Sequence, residues 1–224
     1  MTTLDPALGS SADPSVDGVD LVGPGLRAPV PSVPGEAGSR PPAWWGMMML
    51  VTTEAMIFLG LLSAYFFIRA MADTWPTGGI AAPDLLRPAL FSVLLIGSSL
   101  PIVLAEHAAR RDAQSALRGW LALAFVMAAA FLLNQVLEYL DLDFGLHTNT
   151  YASLFIIITS LHGLHVLGAL VMSAVVQAKA WTGRITSRTT LTLRVFGIYW
   201  HFVDAVWLAV FASLYLSAHL GGHG

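Results

Sequence analysis

Residues 47–70 read MMMLVTTEAMIFLGLLSAYFFIRA, and the only charged residues in this stretch are Glu54 and Arg69. An α-helix rises about 1.5 Å per residue, so the segment can cross a bilayer core about 30 Å thick. Four more apolar stretches follow along the chain, at residues 88–108, 117–140, 151–178 and 195–219. We therefore predict an all-α, polytopic membrane protein in which residues 44–224 form a bundle of five transmembrane helices. Pro101, inside the second stretch, predicts a kink there.

The composition supports the membrane class and excludes several others. Of 224 residues, 56% are hydrophobic and 11% are charged, and the mean hydropathy is +0.69, far from the usage of soluble proteins. The absence of cysteine excludes disulfide frameworks, iron–sulfur clusters, thiolate metal centres and cysteine nucleophiles. No glycine-rich run precedes the single lysine, Lys179, so a phosphate-binding loop is also excluded. The net charge of -3 and the lack of a basic patch argue against a nucleic-acid partner.

Residues 1–43 differ from the rest of the chain, because they hold eight of its 12 prolines among scattered Gly, Ser and Asp. Such a composition predicts a disordered tail. The segment lacks the charged start and the apolar run of a signal peptide, so we do not expect it to be cleaved.

The basic residues predict the orientation of the five spans. If the spans alternate sides, nine of the 11 basic residues fall on the side of the N-terminus, and only Arg69 and Arg87 fall on the other. The positive-inside rule then places the N-terminus in the cytoplasm and the C-terminus outside.

The most informative residues are polar side chains inside the predicted spans, since an ionised group at the bilayer centre costs at least about 2.5–3.5 kcal/mol. They are Glu54 in the first span, Asn134, Gln135 and Glu138 in the third, His162 and His165 in the fourth, and His201 and Asp204 in the fifth. From the helical rise we expect Glu54, His165 and Asp204 to lie at depths where they could meet in the inner half of the membrane. Glu138 is expected near the outer surface.

Helical spacing leaves more than one role open for these residues. His162 with His165, and His201 with Asp204, are pairs three residues apart, and each pair therefore shares one side of its helix. Hydrogen bonds between helices, a proton relay, and a contact to a partner subunit or a lipid headgroup are the alternatives. Glu54 is either a neutral acid bonded to a neighbouring helix or a functional group. We predict no haem, because two histidines on one side of a helix cannot bind opposite faces of an iron. We also predict no metal site, because the chain has no Glu-x-x-His pair of the kind that binds metals in helical bundles.

Four motifs resemble subunit III of the haem–copper respiratory oxidases, the cytochrome c oxidase family. Residues 199–208 read YWHFVDAVWL, which is similar to the family's Tyr-Trp-His-Phe-Val-Asp-x-Val-Trp-Leu. Residues 162–166 read HGLHV, like the family's His-Gly-Leu-His-Val. The Gln135-x-x-Glu138-Tyr139 segment and the TEAMIF stretch at 53–58 complete the resemblance, which covers about residues 44–219.

The resemblance implies a five-helix form of the subunit, whereas larger family members have seven spans. It implies a subunit without a redox centre or catalytic residues, with haem and copper held by partner subunits. The implied partners are oxidase subunits I and II and membrane phospholipids, in a bacterial plasma membrane. The implied role is to stabilise the catalytic subunit, bind lipids and support proton uptake during aerobic respiration. Many members have a Glu where this chain has Arg194, which makes Arg194, with Trp200 and Trp207, a candidate for lipid contact.

Two alternatives stand beside the oxidase. One is the related five-helix protein associated with nitric oxide reductase, whose motifs overlap with these. The other is a small proton-coupled transporter in which Glu54, His165 and Asp204 conduct protons, although the chain shows no internal repeat of the kind common in transporters.

Overall fold

The structure, a computed structural model, describes residues 40–77 and 85–220. The predicted tail at residues 1–43 lies outside the described residues except for its last four. All regular secondary structure in the described ranges is helical. The helices are α1 (Pro42–Met71), α2 (Leu86–Gly97), α3 (Ser99–Arg110), α4 (Gln114–Leu140), α5 (Thr150–Trp181), α6 (Leu191–Phe211) and α7 (Ser217–Leu220).

The five predicted spans are confirmed as helices long and apolar enough to cross a membrane. Each helix extends a few residues beyond its apolar stretch. The first begins at Pro42 because proline is favoured in the first turn, where its missing N–H has no helical partner to lose. The fourth begins after Asn149, whose side-chain oxygen accepts a hydrogen bond from the Ala152 N–H at 2.8 Å.

The second span is interrupted at Ser98, between α2 and α3, as the position of Pro101 predicts. Pro101 has no N–H to donate to the carbonyl of Gly97 four residues earlier, and its ring crowds that carbonyl. The interruption places Ser98 and Ser99 at the joint, next to α6. Both hydroxyl groups are used in contacts between helices, as described below.

The fifth span contains a feature that its apolar pattern does not predict. Residues Ala212–Leu216 form a π-helical turn between α6 and α7. Immediately after it, Ser217 accepts hydrogen bonds from the guanidinium group of Arg69 at its hydroxyl and, at 2.8 Å, at its carbonyl oxygen. This contact joins the end of α1 to the end of the fifth span.

The core lies among α3, α4, α5 and α6, and α1 lies at its edge against α5 and α6. Only three residues of α1 are buried, namely Met47, Phe58 and Tyr65. Most of its other large apolar side chains are exposed, as expected for a helix that faces acyl chains. Because lipid is as apolar as these side chains, contacts between helices must come from close packing and hydrogen bonds rather than from water exclusion.

Candidate functional site

Glu54 on α1 and His165 on α5 meet directly, with Glu54 Oε2 3.0 Å from His165 Nε2. The other ring nitrogen, Nδ1, lies 2.7 Å from the Leu161 carbonyl oxygen. A carbonyl can only accept, so Nδ1 carries a proton. The Nε2–Oε2 contact therefore holds one proton, either on a neutral glutamic acid that donates to Nε2 or on an imidazolium paired with a carboxylate. The Glu54 side chain is 27% exposed, and it connects this proton to the lipid-facing surface.

Asp204 does not join this pair, contrary to the expectation that it meets Glu54 and His165. Its Oδ2 accepts a hydrogen bond from the Ser99 hydroxyl at 2.5 Å. The same oxygen of Ser99 lies 2.8 Å from Nδ1 of His201. Since the single hydroxyl proton goes to Asp204, Nδ1 of His201 donates to Ser99. Asp204 projects from α6 toward α3, whereas Glu54 projects from α1 toward α5.

His162 shares a helix side with His165 but has different surroundings. Its side chain is fully buried, and neither ring nitrogen has a hydrogen-bond partner among the described residues. Three aromatic rings surround the imidazole, at centroid distances of 4.8 Å from Trp207, 6.0 Å from Phe131 and 6.4 Å from Phe58. His162 therefore acts as a packed ring at the centre of the bundle.

Gln135 and Glu138 lie toward the end of α4. The Tyr215 hydroxyl donates a hydrogen bond to Glu138 Oε1 at 2.9 Å, which links α4 to the π-helical turn of the fifth span. Gln135 is buried beside the hydroxyl groups of Tyr139 and Tyr215. Tyr139 in turn donates to the Thr159 hydroxyl at 2.8 Å. The motif thus connects α4 with α5 and with the π-helical turn of the fifth span.

Trp200 and Trp207 face the interior, which differs from the expectation that they contact lipid. Their side chains are 2% and 1% exposed. The indole N–H of Trp200 donates to the Ser98 hydroxyl at 2.9 Å, and that of Trp207 donates to the Ser92 hydroxyl at 2.7 Å. Both indoles can be buried because each N–H donor has an acceptor, a serine hydroxyl of the second span. Arg194 is exposed, near the start of α6.

The described residues contain no group of three or more His, Asp or Glu side chains that could hold a metal ion. The polar groups are instead distributed among separate contacts between pairs of helices. Chemically, these contacts can fix the helices and hold protons.

A family model described as cytochrome c oxidase subunit III matches residues 40–219. This chain belongs to that family. A cytochrome c oxidase subunit 3 of Synechocystis sp. is 35% identical over 188 residues, which cover 82% of this chain and 81% of the relative. One from Thermostichus vulcanus is 35% identical over 172 residues, 76% of this chain and 85% of the relative. A probable subunit 3 of Mycobacterium tuberculosis is 32% identical over 174 residues, with coverages of 76% and 85%.

Membership of the subunit III family confirms the resemblance carried by the four motifs. The chain is a membrane protein and part of an oxidase complex. The names of these relatives favour the oxidase over the nitric oxide reductase alternative and over a small transporter.

The structure also identifies residues that sequence reasoning missed. In this subunit III chain, the hydroxyl groups of Ser92, Ser98 and Ser99 accept from or donate to partners on the fifth span. Three serines in the apolar part of the second span were the available signal. Arg87 was also missed, and its guanidinium donates to Asn134 at 2.7 Å and pairs with Asp141 at 2.6 Å.

Proposed function

We propose that this chain is the non-redox subunit III of a haem–copper terminal oxidase that reduces oxygen to water and translocates protons. The observation that carries the proposal is the family match over residues 40–219, which includes all five spans. The chain has no catalytic centre of its own. Haem and copper belong to oxidase subunits I and II, and this subunit stabilises the catalytic one.

The proposed setting is the plasma membrane of a bacterium, with the N-terminus and its proline-rich tail in the cytoplasm and the C-terminus outside. The basic residues in and next to the loop between α3 and α4, and in and next to the loop between α5 and α6, support this orientation. It places Arg194 at the inner face, where an exposed guanidinium can bind a lipid phosphate.

Lipid binding is the second part of the proposed role. An apolar cavity of about 340 Å³ lies at the inner ends of α5 and α6, and its lining includes Val171, Val175, Val195 and Phe196. A lipid acyl chain fits such a lining, because every side chain just named is aliphatic or aromatic. Arg194 directly precedes Val195 in the sequence. Its guanidinium therefore lies close enough to bind a lipid phosphate while the acyl chain of that lipid occupies the cavity.

Support of proton uptake is the third part, and the Glu54–His165 contact is the best candidate for it. The contact holds one proton in either of its two forms and reaches the lipid-facing surface through Glu54. The pair could therefore retain a proton near the partner subunit without carrying electrons. Gln135, Glu138, His162, His201 and Asp204 serve as structural contacts within the bundle.

Co-purification from native membranes tests the proposal. Membranes are solubilised in mild detergent, and the chain is captured through an affinity tag. We expect a haem protein that consumes oxygen to be captured in a constant ratio to this chain. Recovery of the chain alone, or with haem bound to the chain itself, would contradict the proposal. Capture of a nitric oxide-reducing enzyme instead would favour the alternative.

A further inference from the structure

One side of the bundle, formed by α3 and α6, exposes a hydrogen-bonding group at hydrocarbon depth. His201 is exposed, and Ser99 and the buried Asp204 lie behind it. The span from Leu191 to His219 has 29 residues, about 44 Å of helix against a bilayer core of about 30 Å. His201 lies about 15 Å from Leu191, so its ring is roughly 8 Å inside the core.

The hydrogen bonds of His201 are incomplete among the described residues, 40–77 and 85–220. Its Nδ1 donates to Ser99, and Nε2 makes no hydrogen bond with the residues that the structure describes. An imidazole nitrogen that faces acyl chains has lost its hydrogen bonds to water without replacement, which is unfavourable. Ionisable groups inside membranes therefore face a bundle interior, a water-filled cavity or a partner.

Exposed polar groups on α1 provide a contrast. The hydroxyl groups of Thr52, Thr53 and Ser63 donate to carbonyl oxygens of their own helix, those of Met48, Leu50 and Leu59, at 2.7–2.8 Å. These side chains can face lipid with their hydrogen bonds satisfied. His201 is different because neither its own helix nor any other described residue offers a partner to its second nitrogen.

The surface around His201 also permits close approach by another helix. Ala205 and Ala209, the residues one and two turns along α6, are exposed and small. Small side chains let two helix axes approach closely in a membrane, which strengthens packing and any hydrogen bond between the helices. Leu100 and Val103 of α3 extend the same surface with exposed apolar side chains.

We propose that this surface, which comprises Ser99, Leu100, Val103, His201, Ala205 and Ala209, docks a transmembrane helix of another oxidase subunit. That helix supplies a hydrogen-bonding group to Nε2 of His201. A lipid does not fit the position, because acyl chains carry no polar atom at this depth. The inference rests on the proposed function, since it requires a partner subunit within the oxidase.

Site-directed cross-linking tests the docking surface while His201 stays intact. The chain has no cysteine, so Ala205→Cys introduces a single thiol, and Ala174→Cys on the exposed side of α5 is the matched control. Each variant of the full chain is expressed with the other subunits, labelled in membranes with a thiol-reactive photo-crosslinker and irradiated. Mass spectrometry then identifies the partner of each adduct.

We expect the Ala205→Cys adduct to contain another oxidase subunit, at several-fold higher yield than the Ala174→Cys adduct. Adducts of Ala205→Cys with lipid alone, or with a second copy of this chain, would overturn the docking proposal. In those cases the chain would still co-purify with haem, so the proposed function would stand. Failure of the native chain to co-purify with a haem protein would reject the proposed function instead.

A polar-to-apolar substitution provides a second test with opposite outcomes. His201→Leu makes the surface more apolar. If the surface faces lipid, the substituted chain should remain bound in the oxidase as strongly as the native chain. A docking surface would lose an interhelical hydrogen bond, and the ratio of this chain to haem after detergent purification should fall about 3- to 10-fold. Thr53→Leu on α1 is the control, with no change expected, and an unchanged ratio for His201→Leu would overturn the proposal.

Discussion

The Nε2 atom of His165 on α5 lies 3.0 Å from Oε2 of Glu54 on α1. Among the described residues, this contact and the one between Arg69 and Ser217 are the side-chain hydrogen bonds that join α1 to other helices. Because α1 buries few residues, these two polar contacts hold it against the bundle at two levels. The Glu54–His165 contact thus combines a structural role with the ability to hold a proton.

Glu54→Gln separates these two roles. A glutamine amide can still donate to Nε2 of His165, so we expect the complex to assemble with its normal subunit ratio. The substitution removes the exchangeable acid, and we expect the initial oxygen-consumption rate to change by less than about twofold. The number of turnovers before inactivation should change more, since we propose that Glu54 supports proton uptake by the partner subunit during turnover.

Thr52→Ala is the matched control for Glu54→Gln. Thr52 lies two residues earlier on α1, and its hydroxyl bonds only to the Met48 carbonyl of the same helix. Both variants are compared with the native chain by oxygen consumption, by phospholipid content and by activity during sustained turnover. Complete loss of the initial rate in a fully assembled Glu54→Gln complex would contradict a supporting role.

His162 allows a test of packing against hydrogen bonding. Its ring nitrogens have no partner among the described residues, while three aromatic rings surround it. We expect His162→Phe to keep the ring contacts and to destabilise the bundle by less than about 1.5 kcal/mol, as volume-conserving apolar replacements do. His162→Ala should destabilise it by about 2–5 kcal/mol through the cavity that it leaves.

Thermal unfolding of the purified complex checks the His162 prediction. The release of this chain is monitored as the temperature rises. The control is Phe131→Leu, which alters one neighbouring ring and leaves His162 in place. If His162→Phe destabilised the bundle as much as His162→Ala, a hydrogen bond to an imidazole nitrogen would contribute to stability in addition to the ring packing.

The sequence predicted the five spans, because they follow from helix length and composition. It could not predict which residues meet, since that depends on the rotation of each helix about its axis. The rotation separates Asp204 from Glu54 and directs it to Ser99. It also turns the indoles of Trp200 and Trp207 inward. Each span carries apolar residues on nearly all sides of the helix. The one-sided hydrophobic pattern that indicates helix rotation in a soluble protein is therefore weak here.

The Trp207–Ser92 contact predicts a measurable coupling between two helices. The indole N–H donates to the serine hydroxyl at 2.7 Å, and that hydroxyl donates to the Pro88 carbonyl at 2.6 Å. Trp207→Phe should destabilise the bundle by about 1–3 kcal/mol, because it removes one hydrogen bond and some packing. In the Ser92→Ala background the same change should cost less, since its acceptor is already absent.

A double-mutant cycle from thermal or detergent unfolding gives the coupling energy for Trp207 and Ser92. We expect about 0.5–1.5 kcal/mol, the range of a net hydrogen bond. Trp200→Phe combined with Ser92→Ala is the control, because Trp200 bonds to Ser98 instead. Simple additivity for Trp207 and Ser92 would show that the hydrogen bond contributes nothing to the stability of the bundle.

Asp112 gives a pH dependence outside the membrane spans. Its Oδ1 accepts a hydrogen bond from the Ser187 backbone N–H at 2.7 Å, which joins the loop after α3 to the loop before α6. This bond, with a smaller contribution from the charge of Arg188, lowers the pKa of Asp112 below its ordinary value of 3.8. The ionised carboxylate therefore stabilises the loop contact fully above about pH 3.8, and the stabilisation is lost as the pH falls through the lowered pKa.

Amide hydrogen exchange at Ser187 measures this loss. The Thr186 amide is an internal reference, since it donates to the Thr189 hydroxyl, which does not titrate. We expect the protection of Ser187 relative to Thr186 to be constant near neutral pH and to fall at acid pH. Asp112→Asn should retain part of the protection without its acid dependence, because asparagine keeps a neutral acceptor and tolerates the positive φ of 52° at this position. An acid-dependent ratio that persisted in Asp112→Asn would assign the titration to another group.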